Sequence, residues 1–77
     1  MAARLHESET GARLTRREDE ILELLGKGMH NRELGQVLGV TEDTVKTHLK
    51  SLFRKLGVSD RAEAVREALR RGFIHSQ

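Results

Sequence analysis

The chain has 77 residues, 34% of them charged, with no Cys, Pro, Trp or Tyr and a formal net charge of +2. That length makes one domain, and it buries only about 60–65% of the surface its unfolded form exposes, leaving little room for a deep catalytic pocket. No disulfide or thiolate zinc site is possible without Cys. No apolar run approaches the roughly 20 residues of a membrane span and no signal-peptide core follows Met1, so a soluble, cytoplasmic chain is expected.

The small net charge conceals a division. Residues 1–43 hold six basic and nine acidic side chains, whereas residues 44–77 hold eight and three. A polyanion belongs against the second half. Leu, Glu, Arg, Ala and Lys are abundant, which favours helices, and no segment alternates as a strand does.

Residues 1–13 show no sustained apolar period and are expected to form a flexible arm or linker remnant, with the folded domain at 14–74. A first helix starts at Thr15, whose hydroxyl suits the N–H of Glu18 while the Glu18 carboxylate suits the N–H of Thr15, a capping box. Ile21, Leu22, Leu24 and Leu25 give it an apolar face, and Gly26 and Gly28 end it. Asn31 is the expected cap of a short second helix, with Leu34, Val37 and Leu38 on its inner face. Gly39 breaks that helix. Thr41 caps a third, in which Val45, Leu49, Leu52, Phe53 and Leu56 form an apolar stripe that stops at Gly57. Asp60, followed by Glu63, opens a fourth helix with Ala64, Val65, Ala68 and Leu69 inside. Gly72 ends it, and Phe73 folds back over its last turn. The fold class is all-α: four helices with a helix-turn-helix at about 31–50.

The segment NRELGQVLGVTEDTVKTHLK carries the functional signal. Gly35 stands where the third helix must cross the second. Glycine in mid-helix costs about 1 kcal/mol relative to Ala, so a packing reason is required. A valine at 35 should overpack the crossing, whereas an alanine should be neutral or stabilising. Leu34, Leu38, Val40 and Val45 lock the unit from inside. With Val45 and Leu49 turned inward, Lys46 and Lys50 lie outside, flanked by Asp43, Thr47 and Arg54. A face of that kind fits a major groove roughly 12 Å wide. Lys46 and Thr47 lie near the helix N-terminus and belong on base edges. Arg54 and Lys55 lie farther along, where the helix rises toward the phosphate backbone.

From Leu14 to Gly72 the sequence resembles the LuxR/GerE family of bacterial DNA-binding domains. The resemblance is carried by Leu14, Thr15, Arg17 and Glu18, then Leu22, Leu25 and Gly28, then N-R-E-L at 31–34, L-G-V-T at 38–41 and T-V-K-T-H at 44–48. K-L-G-V at 55–58, Arg61 and E-A-V at 63–65 complete it. It implies a four-helix domain that binds double-stranded DNA to regulate transcription, as an output domain or a small stand-alone regulator. It implies base contacts from Lys46, Thr47 and Lys50, and backbone contacts from Asn31, Arg32 and Thr44. The fourth helix commonly pairs two subunits in the family, and Ala64 and Ala68, small residues one turn apart, are the expected contact in a homodimer on DNA. RNA polymerase is a further expected partner. Two positions depart from the family pattern. Gly35 replaces the usual Ala, and Asp43 stands where some members carry a base-contacting Lys.

Other chemistry finds little support. His6, His30, His48 and His75 lack metal-ligand spacing, and no cofactor, metal or small-molecule ligand is expected. Glu18, Asp19, Glu20 and Glu23 read as a cap and a solvated face. Ser8, Ser51, Ser59 and Ser76 lack any nucleophile context, so the chain is not expected to be an enzyme. Phe53 and Phe73 make no stacking platform for single strands. Two alternatives stay open: a promoter-element reader like region 4 of sigma factors, and a helical protein-interaction module without DNA binding.

Overall fold

The computed structural model describes residues 14–74; the segment expected to form an arm, at 1–13, lies outside the described residues. The capping signals place the helices: α1 (Arg16–Gly26), α2 (Asn31–Leu38), α3 (Glu42–Leu56) and α4 (Arg61–Arg71). At α1 both halves of the capping box form. The Glu18 N–H donates to Thr15 Oγ1 at 3.1 Å, and the Thr15 N–H donates to Glu18 Oε1 at 2.9 Å. Thr41 accepts from the Thr44 N–H and Asp60 from the Glu63 N–H, starting α3 and α4. The cap of α2 is His30, not Asn31: the Glu33 carboxylate reaches back to the His30 N–H at 2.9 Å. Asn31 is the first helical residue instead, because its side-chain oxygen is engaged by Arg61.

One apolar cluster joins the four helices. Ile21, Leu22 and Leu25 of α1, Leu34 of α2, Val45, Leu49, Leu52 and Leu56 of α3, and Ala64 and Ala68 of α4 are buried in it. Leu14 and Ile74 are buried in the same cluster. Helix α2 packs on α3 as the helix-turn-helix, while α1 packs on both α3 and α4.

The crossing of α2 and α3 is tighter than the sequence suggests. A Cβ built on Gly35 would lie 2.7 Å from the backbone oxygen of Val40. Even a methyl group therefore requires the turn to move, which overturns the expectation that alanine is neutral or stabilising there. Gly39, at φ 73°, takes the left-handed conformation that reverses the chain between the two helices. The crossing at Gly35 also turns the buried arc of α2 toward residues 34, 35 and 38. Val37, about 120° away around the helix, is left 58% exposed rather than buried.

A second correction falls on α4. Ala64 and Ala68 are fully buried against the domain's own core, whereas Leu69 is 39% exposed. Their small side chains let α4 lie close against α1, so they have no surface to offer a second copy.

Glu18 holds α1 to α3. It is 3% exposed, and beyond its cap it accepts from Ser51 Oγ at 2.7 Å and from Lys55 Nζ at 2.8 Å. Burial pushes its carboxyl toward the neutral form. The hydrogen bonds from Lys55, Thr15 and Ser51, with the Lys55 charge, outweigh burial and hold its pKa below the usual carboxylate value.

Candidate nucleic-acid interface

The outer side of α3 is set by what its inner side buries. Val45, Leu49, Leu52 and Leu56 fill the core, which leaves Asp43, Lys46, Thr47, Lys50 and Arg54 exposed. Residues 43, 46, 47, 50 and 54 recur at the three- and four-residue spacing of one helix face. Lys46, Lys50 and Arg54 make no ion pair among the described residues. Most other cations of the basic half are engaged: Lys55 by Glu18, Arg61 by α2 and the loop before it, and Arg70 and Arg71 by Glu67. The hydrogen bond from Arg70, with that from Arg71, draws the Glu67 carboxyl down to about 2 against the opposing pull of desolvation. The free positive charge of the basic half is thus concentrated on the outer face of α3, with Arg66 exposed on α4.

The hydroxyls on this side have defined states. Thr47 Oγ1 donates to the Asp43 carbonyl at 3.1 Å, so its proton is taken and it presents its methyl group and an acceptor. Thr44 Oγ1 accepts from Thr41 Oγ1 at 3.0 Å, which leaves the Thr44 hydroxyl its own proton to donate.

The N-terminus of α2 is the second component. Arg32 is exposed. Arg61, from the first turn of α4, donates through one guanidinium nitrogen to the Met29 carbonyl and through the other to Asn31 Oδ1 at 2.6 Å. Asn31 therefore keeps both of its amide N–H groups for another partner. This staple was not read from the sequence.

Of the residues assigned to DNA from the sequence, the structure brings Lys46, Thr47, Lys50 and Arg54 onto one exposed face and leaves Thr44 half-buried beside them. Lys55 departs from the group. It lies about a quarter-turn from that face, its side chain is only 20% exposed, and its charge is paired with Glu18. Its ammonium joins α3 to α1 through Glu18. Among the described residues, no cluster of His, Asp or Glu is arranged to hold a metal ion, and no helix is long and apolar enough to cross a membrane; His6 and His75 lie outside them.

A capped, glycine-hinged helix pair with free cations on the outer face of its second helix defines a helix-turn-helix DNA-binding domain. Comparison with known proteins makes the assignment specific. Residues 12–68 match the family model GerE, described as bacterial regulatory proteins of the luxR family, and the chain belongs to that family. It is similar to the transcriptional regulatory protein DegU of Brevibacillus brevis, at 43% identity over 61 residues covering 79% of this chain and 26% of that protein. It is 47% identical over 60 residues to the CsgBAC operon transcriptional regulatory protein of Escherichia coli, covering 78% of this chain and 28% of that one. Among solved structures it superposes on the transcription factor GerE with a TM-score of 0.73 and 39% identity, covering 79% of this chain and 91% of GerE. It also superposes on the response regulator ChrA of a heme-sensing two-component system, with a TM-score of 0.77 and 44% identity, covering 79% of this chain and 30% of ChrA. The chain thus spans about a quarter of the length of these two curated relatives. Membership makes it a DNA-binding domain of transcription regulators.

Proposed function

We propose that the domain, at 14–74, binds specific sites on duplex DNA by laying α3 in the major groove. Lys46 and Lys50 donate to guanine O6 and N7, and Thr47 meets a base edge or a thymine methyl. Arg32, the Asn31 amide, the Thr44 hydroxyl and, farther along α3, Arg54 grip phosphates. The observation that carries this is the set of unpaired cations, Lys46, Lys50 and Arg54, on the one face of α3 that the core leaves free.

Two copies bind inverted half-sites about one helical turn apart. The exposed side of α4, with Leu69 and the half-buried Val65, supplies the contact in place of Ala64 and Ala68. Binding near a promoter brings RNA polymerase within reach as a second partner, and the site of action is the cytoplasm, where bacterial DNA lies. The domain serves as the output unit of a longer regulator or as a small regulator by itself.

The test contrasts reading with gripping. Lys46→Ala is expected to cost about 1–3 kcal/mol on the preferred site and relax the preference at one or two base pairs. Arg54→Ala is expected to weaken binding to all duplexes alike and to lower the salt slope by about one per subunit. Affinities for preferred and random duplexes across a salt series separate the two. Equal loss on both duplexes for both variants would show α3 to be an electrostatic surface rather than a reader.

A further inference from the structure

Asp43 is out of place by charge. It is exposed on the same row of α3 as Lys46, Thr47 and Lys50, and it makes no side-chain hydrogen bond or ion pair among the described residues. An acid in the first turn gains from the helix dipole, but Glu42 already stands in that turn, about 100° around the helix from Asp43. A bare carboxylate on a face turned toward phosphates weakens binding to any duplex. Such a group is tolerable in the groove only where a donor meets it.

The position supplies that chance. The first residues of a recognition helix come nearest the base edges, and Asp43 precedes Lys46 by about 4.5 Å along the axis, close to one base-pair step of about 3.4 Å. Aspartate offers acceptors only. In the major groove the donors are the amino groups of cytosine and adenine. Adenine sets its N7 acceptor beside its amino group, and that lone pair repels a carboxylate, whereas cytosine has only a C–H beside N4. Thr47 leaves the carboxylate free, because its hydroxyl donates to the Asp43 backbone carbonyl and not to the side chain.

We propose that Asp43 is a specificity-determining residue whose carboxylate accepts a hydrogen bond from cytosine N4, beside the base pair addressed by Lys46. This rests on the groove-reading role of α3 given above. The acid lowers affinity for duplexes in general and restores it only where a cytosine is correctly placed.

The experiment is selection of bound duplexes from a random pool by the full chain and by Asp43→Ala and Asp43→Asn, followed by affinities for the winning and a random duplex. Circular dichroism checks that each variant keeps its helices. The wild-type site is expected to carry one cytosine whose replacement costs roughly tenfold. Asp43→Ala should lose that preference alone and bind random duplex several-fold more tightly. Asp43→Asn, which both donates and accepts, should shift the preference toward adenine. An enriched site that Asp43→Ala leaves unchanged, with both affinities rising by one factor, would overturn the proposal while leaving base reading by α3 intact. A wild-type chain that enriches no sequence would bring down both.

Discussion

Replacing Glu18 by Gln and by Ala separates the charge of this buried carboxylate from its contacts. Glu18 Oε1 accepts from the Thr15 N–H and from Lys55, and Oε2 accepts from Ser51. A glutamine that keeps its oxygen toward Thr15 and Lys55 turns its amide toward Ser51, whose hydroxyl accepts as readily as it donates. Every contact survives and only the charge is lost. Lys55, 20% exposed, then faces a neutral group, and the cost is expected to be about 1–2 kcal/mol, the difference between a charged and a neutral hydrogen bond. Alanine also removes the reciprocal cap and leaves Lys55 and Ser51 without their partner, for a total of about 3–5 kcal/mol. A domain of this size has roughly 4–10 kcal/mol of stability in all, so the alanine variant sits near the edge of folding. Urea titration followed by circular dichroism at 222 nm measures both, since the chain has neither Trp nor Tyr. The pH dependence supplies an independent check. Because the folded pKa of Glu18 lies below its ordinary value, the ionised carboxylate stabilises the fold fully above the unfolded pKa. That contribution is lost as pH falls through the depressed folded value. Glu18→Gln should flatten this acid limb. A glutamine variant as stable as the wild type, with the same acid limb, would refute the role given to the charge.

Gly35→Ala is expected to destabilise by about 1 kcal/mol or more despite its better helix propensity, and Gly35→Val by more than the alanine, as thermal melts would show; an alanine variant more stable than the wild type would mean that the turn at Val40 yields freely. On α4, Leu69→Glu should leave the fold intact, because Leu69 is 39% exposed, yet reduce two-copy complexes on a selected duplex to single-copy ones in sedimentation. Persistence of the two-copy complex would place the pairing surface elsewhere.

Much of this was legible from local signals. Caps at Thr15, Thr41 and Asp60, glycines at helix ends and the stripe of α3 depend on residues within a few positions of one another, so the sequence displays them directly. The outer face of α3 followed because its inner stripe is long enough to fix the helix's rotation. Where the reading missed, a partner distant in sequence decided. Lys55 looked like any cation late in a basic helix, and only Glu18, 37 positions earlier, makes it structural. Asn31 has the chemistry of a cap, but Arg61, 30 positions later, takes its oxygen. Helix α2, at eight residues, and the alanine-rich α4 carry too few large apolar side chains to fix which arc is buried, so Val37 and Leu69 were placed inside when they are not.

The Arg61 staple makes α2 a dependent of the end of the chain. One guanidinium reaches from the start of α4 to the Met29 carbonyl and the Asn31 side chain, spanning the loop that leads into the helix-turn-helix. The orientation of the α2 N-terminus is therefore inherited from α4, an element with no place in the groove. A displacement of α4 is therefore passed through this guanidinium to the loop that feeds α2. The side chains at the start of α2, Asn31 and Arg32, thus take their placement from a residue 30 positions away at the far side of the helix-turn-helix.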